Sequence, residues 1–288
     1  MMKSLSWRPL RAFLAVPAAT LLLAACATVT TVPEAQRPPR LSGREAALAA
    51  PGPRHYTVVA GRIEGEYGRP VEYERYLPSA EGESEARTEL MVFLAHGFMR
   101  DLASMRGWAA HWASHGVPVT VMSLRNSTWF SGRHERNAAD LRLLARTLHS
   151  GPVLYAGYSA GGLAAFLAAA AEGGSGGPAV AYLGLDTADS GGLAAAAKSG
   201  FAVPALFLLA EPSSCNARNN ILEAIPERPD VRVERIRFAT HCHFENPTDG
   251  ACEALCGKVE PEEIEEVIVA RIRSLATAWV LEQAGIER

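Results

Sequence analysis

Residues Gly157, Tyr158, Ser159, Ala160 and Gly161 lie between the apolar run Val153-Leu154-Tyr155-Ala156 and the helix-like run Gly162-Leu163-Ala164-Ala165-Phe166-Leu167. The pentapeptide therefore reads as a strand that turns directly into a helix around a serine. Such a junction is strained, and the two backbones pass close together, so bulky neighbours would block it. Gly157 and Gly161 leave that room. In a chain with 25 glycines the G-x-S-x-G string alone is a moderate signal. Its strand-to-helix setting is what makes it strong.

The rest of the chain fits a body that can hold such a junction. With 288 residues, 48% hydrophobic and 20% charged, it can bury a sizeable core. From residue 56 onward, β-like and helical runs alternate. Strands are predicted over 56–60, 72–77, 89–95, 117–123, 152–157, 179–185, 203–210 and 231–238, with helices over 102–114, 135–148 and 160–172. A closing helix is predicted near Pro261, where Ile264, Val267, Ile268, Ile272, Leu275 and Trp279 recur on one face and place Trp279 in the core. Antiparallel strands early and strand-helix alternation later predict an α/β fold, a mostly parallel sheet flanked by helices on both faces. The overall charge of −3 includes no basic patch, which argues against nucleic acid as a partner.

The amino terminus reads as a targeting segment. Lys3, Arg8 and Arg11 precede an apolar stretch over 12–25 that is too short to span a bilayer comfortably. Leu23-Ala24-Ala25-Cys26 resembles a bacterial lipobox, which implies a signal peptide over 1–25, lipidation of Cys26 and anchoring in the cell envelope. Ala27 in place of aspartate implies the outer membrane. Residues 26–54, rich in Pro, Thr, Arg and Ala, are expected to form a flexible tether that lets a domain over 55–288 stand off the membrane. Cys215, Cys242, Cys252 and Cys256 are an even number in a chain expected to be exported, so two disulfides are predicted, with their pairing open. A zinc site using His241, His243 and these cysteines is disfavoured by its spacing and by an oxidising compartment.

A serine hydroxyl needs a base to take its proton, and the base needs a carboxylate to fix its tautomer. Both should lie downstream in the order Ser, acid, His. The run 179–185 ends in Asp186, and the run 231–238 leads into Ala239-Thr240-His241-Cys242-His243. Asp186 ranks first as the acid because it ends an apolar strand abruptly, with Glu211 and Asp189 as alternatives. His241 is preferred over His243 as the base.

Over residues 56 to 285 these features resemble α/β-hydrolases of the dienelactone-hydrolase, chlorophyllase and platelet-activating-factor acetylhydrolase group. Gly184-Leu185-Asp186 matches their Leu-Asp context for the acid. His241-Cys242-His243 matches their histidine segment, with His where an Asp is usual. His96-Gly97-Phe98-Met99 resembles their His-Gly-x loop, which implies that the Phe98 N–H joins the Ala160 N–H in an oxyanion hole. The resemblance implies an α/β-hydrolase fold and a serine hydrolase, a carboxylesterase, with a Ser159, His241, Asp186 triad and no cofactor. The stretch between Asp186 and Val203 is too short for a large lid, so an open cleft for small-molecule or surface-bound esters is expected. A thioesterase or peptidase with the same triad, and a non-catalytic envelope lipoprotein using the fold as a binding platform, stay open as alternatives.

Overall fold

The computed structural model describes residues 28–79, 88–128, 131–173 and 176–286. The predicted signal segment 1–25 and Cys26 lie outside the described residues. In chain order the elements are β1 (Val29–Thr31), α1 (Gly43–Ala49), β2 (Tyr56–Glu64), β3 (Pro70–Pro78), β4 (Met91–Ala95), α2 (Arg106–Ser114), β5 (Val119–Met122), α3 (His134–Leu148) and β6 (Val153–Tyr158). They continue with α4 (Ala160–Gly173), β7 (Ala179–Leu185), α5 (Leu193–Ala197), β8 (Ala205–Leu209), β9 (Val231–Arg235), α6 (Gly250–Cys256), β10 (Lys258–Glu260) and α7 (Glu262–Gln283).

Eight strands form one sheet in the order β2-β3-β5-β4-β6-β7-β8-β9. β2 and β3 pair antiparallel, β3 pairs antiparallel with β5, and every pairing from β5 to β9 is parallel. The central strands are buried on both faces, and their side chains alternate between two cores. Val92, Leu94, Leu154 and Ala156 point to the core shared with α2 and α7. Met91, Phe93, Val153 and Tyr155 point to the core shared with α3 and α4. Trp279 is buried, and its Nε1–H donates to the Tyr182 carbonyl at 3.2 Å. Among the described residues no helix is long and apolar enough to cross a membrane.

The amino-terminal segment corrects the expectation of a flexible tether over 26–54. β1 pairs in parallel with β10, Val29 opposite Lys258 and Thr31 opposite Glu260. α1 starts on a capping box between Ser42 and Glu45, and Glu45 pairs with Arg271 of α7 at 3.0 Å. Val32 and Leu48 are buried in the same core as Ile264 and Ile268 of α7. A few apolar residues suffice to dock this segment, although they are too sparse to make a periodic pattern. The Ser42-x-x-Glu45 box was the local signal available.

Candidate active site

The parallel register brings the ends of β6 and β7 side by side, with Tyr158 opposite Leu185. Ser159 and Asp186 are therefore the first residues past two neighbouring strands. Both leave the sheet in the left-handed region, at φ 53° and 46°, which costs a non-glycine residue about 1–3 kcal/mol each. Close packing enforces the turn at Ser159. A Cβ on Gly157 would meet the Gly161 carbonyl oxygen at 2.3 Å, and one on Gly161 would meet the His96 carbonyl oxygen at 2.3 Å. Only glycine allows α4 to start this close to the loop after β4.

A continuous chain of hydrogen bonds links three side chains. His241 Nδ1 lies 2.6 Å from Asp186 Oδ2, and His241 Nε2 lies 2.9 Å from Ser159 Oγ. An ionised carboxylate only accepts, so Nδ1 carries the proton and Nε2 is free to accept the serine hydroxyl. All three residues are buried, and Asp186 is fully so. Its Oδ1 also accepts the Ala210 N–H at 2.8 Å, and the Asn216 amide donates to both oxygens at 3.2 Å. The ring of Tyr158 packs on that of His241, with centroids 4.7 Å apart.

The alternatives are occupied elsewhere. Glu211 Oε1 accepts the Phe238 N–H at 3.1 Å. Asp189 accepts the Ala194 and Ala195 N–H groups and so caps α5. His243 Nδ1 accepts the Thr240 N–H at 2.9 Å, closing the turn that carries His241. The predicted oxyanion residues Phe98 and Ala160 border, with Ser159, one cleft of about 620 Å³ that Arg133, His134 and Cys215 also line. Residues 186–204, between β7 and β8, hold only short helical turns and α5.

One solved structure similar to this chain is a dienelactone hydrolase from Anabaena variabilis, at 19% identity and a TM-score of 0.54, the match covering 80% of this chain and 98% of that one. The fold is the α/β-hydrolase fold. No protein-family model matches the chain, and no curated protein matches it in sequence.

Within this α/β-hydrolase fold, the two disulfides brace the loop that carries His241 and the loop after β8, whose Asn216 donates to Asp186. Cys242, next to His241, is bonded to Cys252, and Cys215, next to Asn216, is bonded to Cys256. α6 thus ties both loops together. The sulfurs of Cys242, Cys252 and Cys256 cluster within 4.8 Å, but as disulfide sulfurs they offer no thiolate to a metal.

A second tie joins the loop after β4 to the same region. Arg100 makes a bidentate pair with buried Glu245 at 2.6 and 2.9 Å and a further contact with Asp249 at 2.9 Å. Burial raises the Glu245 carboxyl, and Arg100 pulls against it. His96 supports that loop from inside: its Nδ1–H donates to the Gly97 carbonyl at 2.7 Å, and its Nε2 accepts the Leu124 N–H at 2.9 Å. Asn216 and the Arg100–Glu245 pair carried no sequence signal, because each acts on a partner far away in the chain.

Buried histidines predict a pH dependence of stability. Burial lowers His96 and His243 to about 4 and His111 to about 3, and it lowers His134 as well. Each ring is neutral in the fold at neutral pH but returns to about 6.5 on unfolding. Between those values the unfolded chain binds more protons, so stability falls as pH is lowered from about 6.5 towards 4. Asp140, Glu245 and Glu265, raised mainly by burial, act with the opposite sign near the carboxylate range. Denaturant unfolding should therefore show declining stability from pH 7 to pH 5. A flat profile would contradict this.

Proposed function

We propose that the protein is a serine hydrolase that cleaves carboxylic esters through an acyl-enzyme intermediate. The observation that carries this reading is the Ser159–His241–Asp186 chain, with links of 2.9 and 2.6 Å at a strained strand-to-helix turn. Ser159 Oγ attacks the acyl carbon while its proton passes to His241 Nε2. Asp186 holds Nδ1–H and steadies the imidazolium. The Ala160 and Phe98 backbone N–H groups receive the oxyanion; Ala160 N lies at the start of α4, where the helix dipole favours negative charge. The leaving alkoxide takes the proton from Nε2. Water then attacks the acyl-enzyme by the same route, releasing the acid and restoring Ser159. None of these steps calls on a cofactor.

The open cleft and the short β7–β8 connection support modest-sized or surface-bound esters as substrates. Purified protein should hydrolyse a short-chain p-nitrophenyl ester much faster than a long-chain one, and thioester and amide analogues run beside it would rank the leaving groups. The reverse chain-length preference would count against an open, unlidded site.

The leader and Leu23-Ala24-Ala25-Cys26 support export and lipidation at Cys26, with the protein held in the outer membrane of a bacterial envelope. The Cys215–Cys256 and Cys242–Cys252 pairs fit an oxidising compartment.

A further inference from the structure

The lipid-bearing end of the chain and the Ser159 cleft emerge at the same end of the sheet. β6 to β9 run parallel, so Ser159, Asp186, the 210–217 loop and the 236–257 stretch all leave from their carboxyl ends. β1 is fastened to that end, since it pairs with β10 directly after α6. The Lys258 N–H donates to the Thr28 carbonyl at 3.0 Å, and Cys256, two residues earlier, is bonded to Cys215 in the cleft wall. A second cavity, lined by Thr28, Thr30, Leu255 and Gly257, shares Ser214 and Cys215 with the cleft that holds Ser159.

This geometry removes the reach that a flexible tether would have supplied. A free chain over 27–54 could extend about 95 Å, whereas the two residues from Cys26 to Thr28 span about 7 Å at most. An acyl chain on Cys26 therefore holds β1, β10 and α6 at the bilayer surface, and the cleft with them. The two most exposed large apolar side chains fit that placement. Leu255 of α6, at 73% exposure, and Met99, next to Phe98 of the cleft, at 61%, are the most exposed large hydrophobic residues described. Val29 of β1 is exposed as well. Apolar side chains ringing a lipid-anchored edge can settle into the headgroup region.

We infer that the anchor sets the mouth of the Ser159 cleft against the bilayer, so that the enzyme works on esters carried by membrane-resident amphiphiles. This rests on the esterase and lipidation readings above. Enzyme and substrate held on one surface meet at a high effective concentration, provided that the short link keeps the cleft facing that surface.

The test uses the full-length lipidated chain in phosphatidylethanolamine–phosphatidylglycerol vesicles. One assay reads a fluorogenic ester linked to a lipid headgroup in those vesicles, and a second reads the same ester free in solution. The parent is compared with Leu255→Glu and with a variant carrying about 20 Gly and Ser residues between Ala27 and Thr28, enough for a span of about 25 Å. The insertion should lower hydrolysis of the vesicle-bound ester about tenfold, with a smaller loss in Leu255→Glu, and neither should change hydrolysis of the free ester. Equal rates on the vesicle-bound ester for all three proteins would overturn the inference. So would a mature parent whose mass shows no acyl chains. Failure of every protein to cleave the free ester would instead overturn the esterase reading, and this inference with it.

Discussion

Ser159→Ala should lower kcat by about 10⁶-fold, equivalent to about 8 kcal/mol of transition-state stabilisation, while leaving the fold intact. The side chain makes its hydrogen bond to His241 Nε2 alone among the described contacts. Alanine at φ 53° carries much the same backbone strain as serine. The loss is therefore chemical: without the hydroxyl there is no atom to carry the acyl group. The residual rate should stay above that of water, because the Ala160 and Phe98 N–H groups still meet the carbonyl oxygen. Steady-state kinetics beside a thermal melt would check this. A variant that kept much of the parent activity with an unchanged melt would exclude Ser159 as the nucleophile.

Asp186→Asn should cost about 10⁴-fold in kcat, and the structure gives the reason. The Ala210 N–H and the Asn216 amide both donate to the side chain at 186. An asparagine there would turn its carbonyl oxygen to those donors and its NH₂ group to His241 Nδ1. Nδ1 would then accept, the ring proton would move to Nε2, and Nε2 could no longer take the proton of Ser159. Glu211→Gln and Asp189→Asn should stay near the parent rate, since those carboxylates bind the backbone of Phe238 and of Ala194 and Ala195. Full activity in Asp186→Asn, or a collapse in Glu211→Gln, would show that the acid lies elsewhere.

What could be read from the sequence was the placement of residues tied to local pattern. Ser159 stands out because the strained turn needs glycines at 157 and 161, and these are visible as letters. Asp186 stands out because it ends an apolar strand, and His241 because it follows the last large-sheet strand. The alternation of strands and helices gave the sheet and its antiparallel edge. The disulfide pairing was not legible, because it depends on where α6 returns over the sheet. Asn216 was equally hidden, since its role exists only once the loop after β8 folds back onto Asp186. The segment from Thr28 to Ala49 looked like a tether because proline and scattered polar residues broke every period. Its few apolar side chains find a partner surface only on α7, which lies far along the chain.

The claim that His241 makes Ser159 reactive is tested most directly by treating the folded protein with a fluorophosphonate probe and mapping the modified peptide. The adduct should sit on Ser159, vanish in Ser159→Ala and fall steeply in His241→Ala, while His243→Ala still labels. No adduct on the folded protein, or labelling of His241→Ala as fast as the parent, would contradict it.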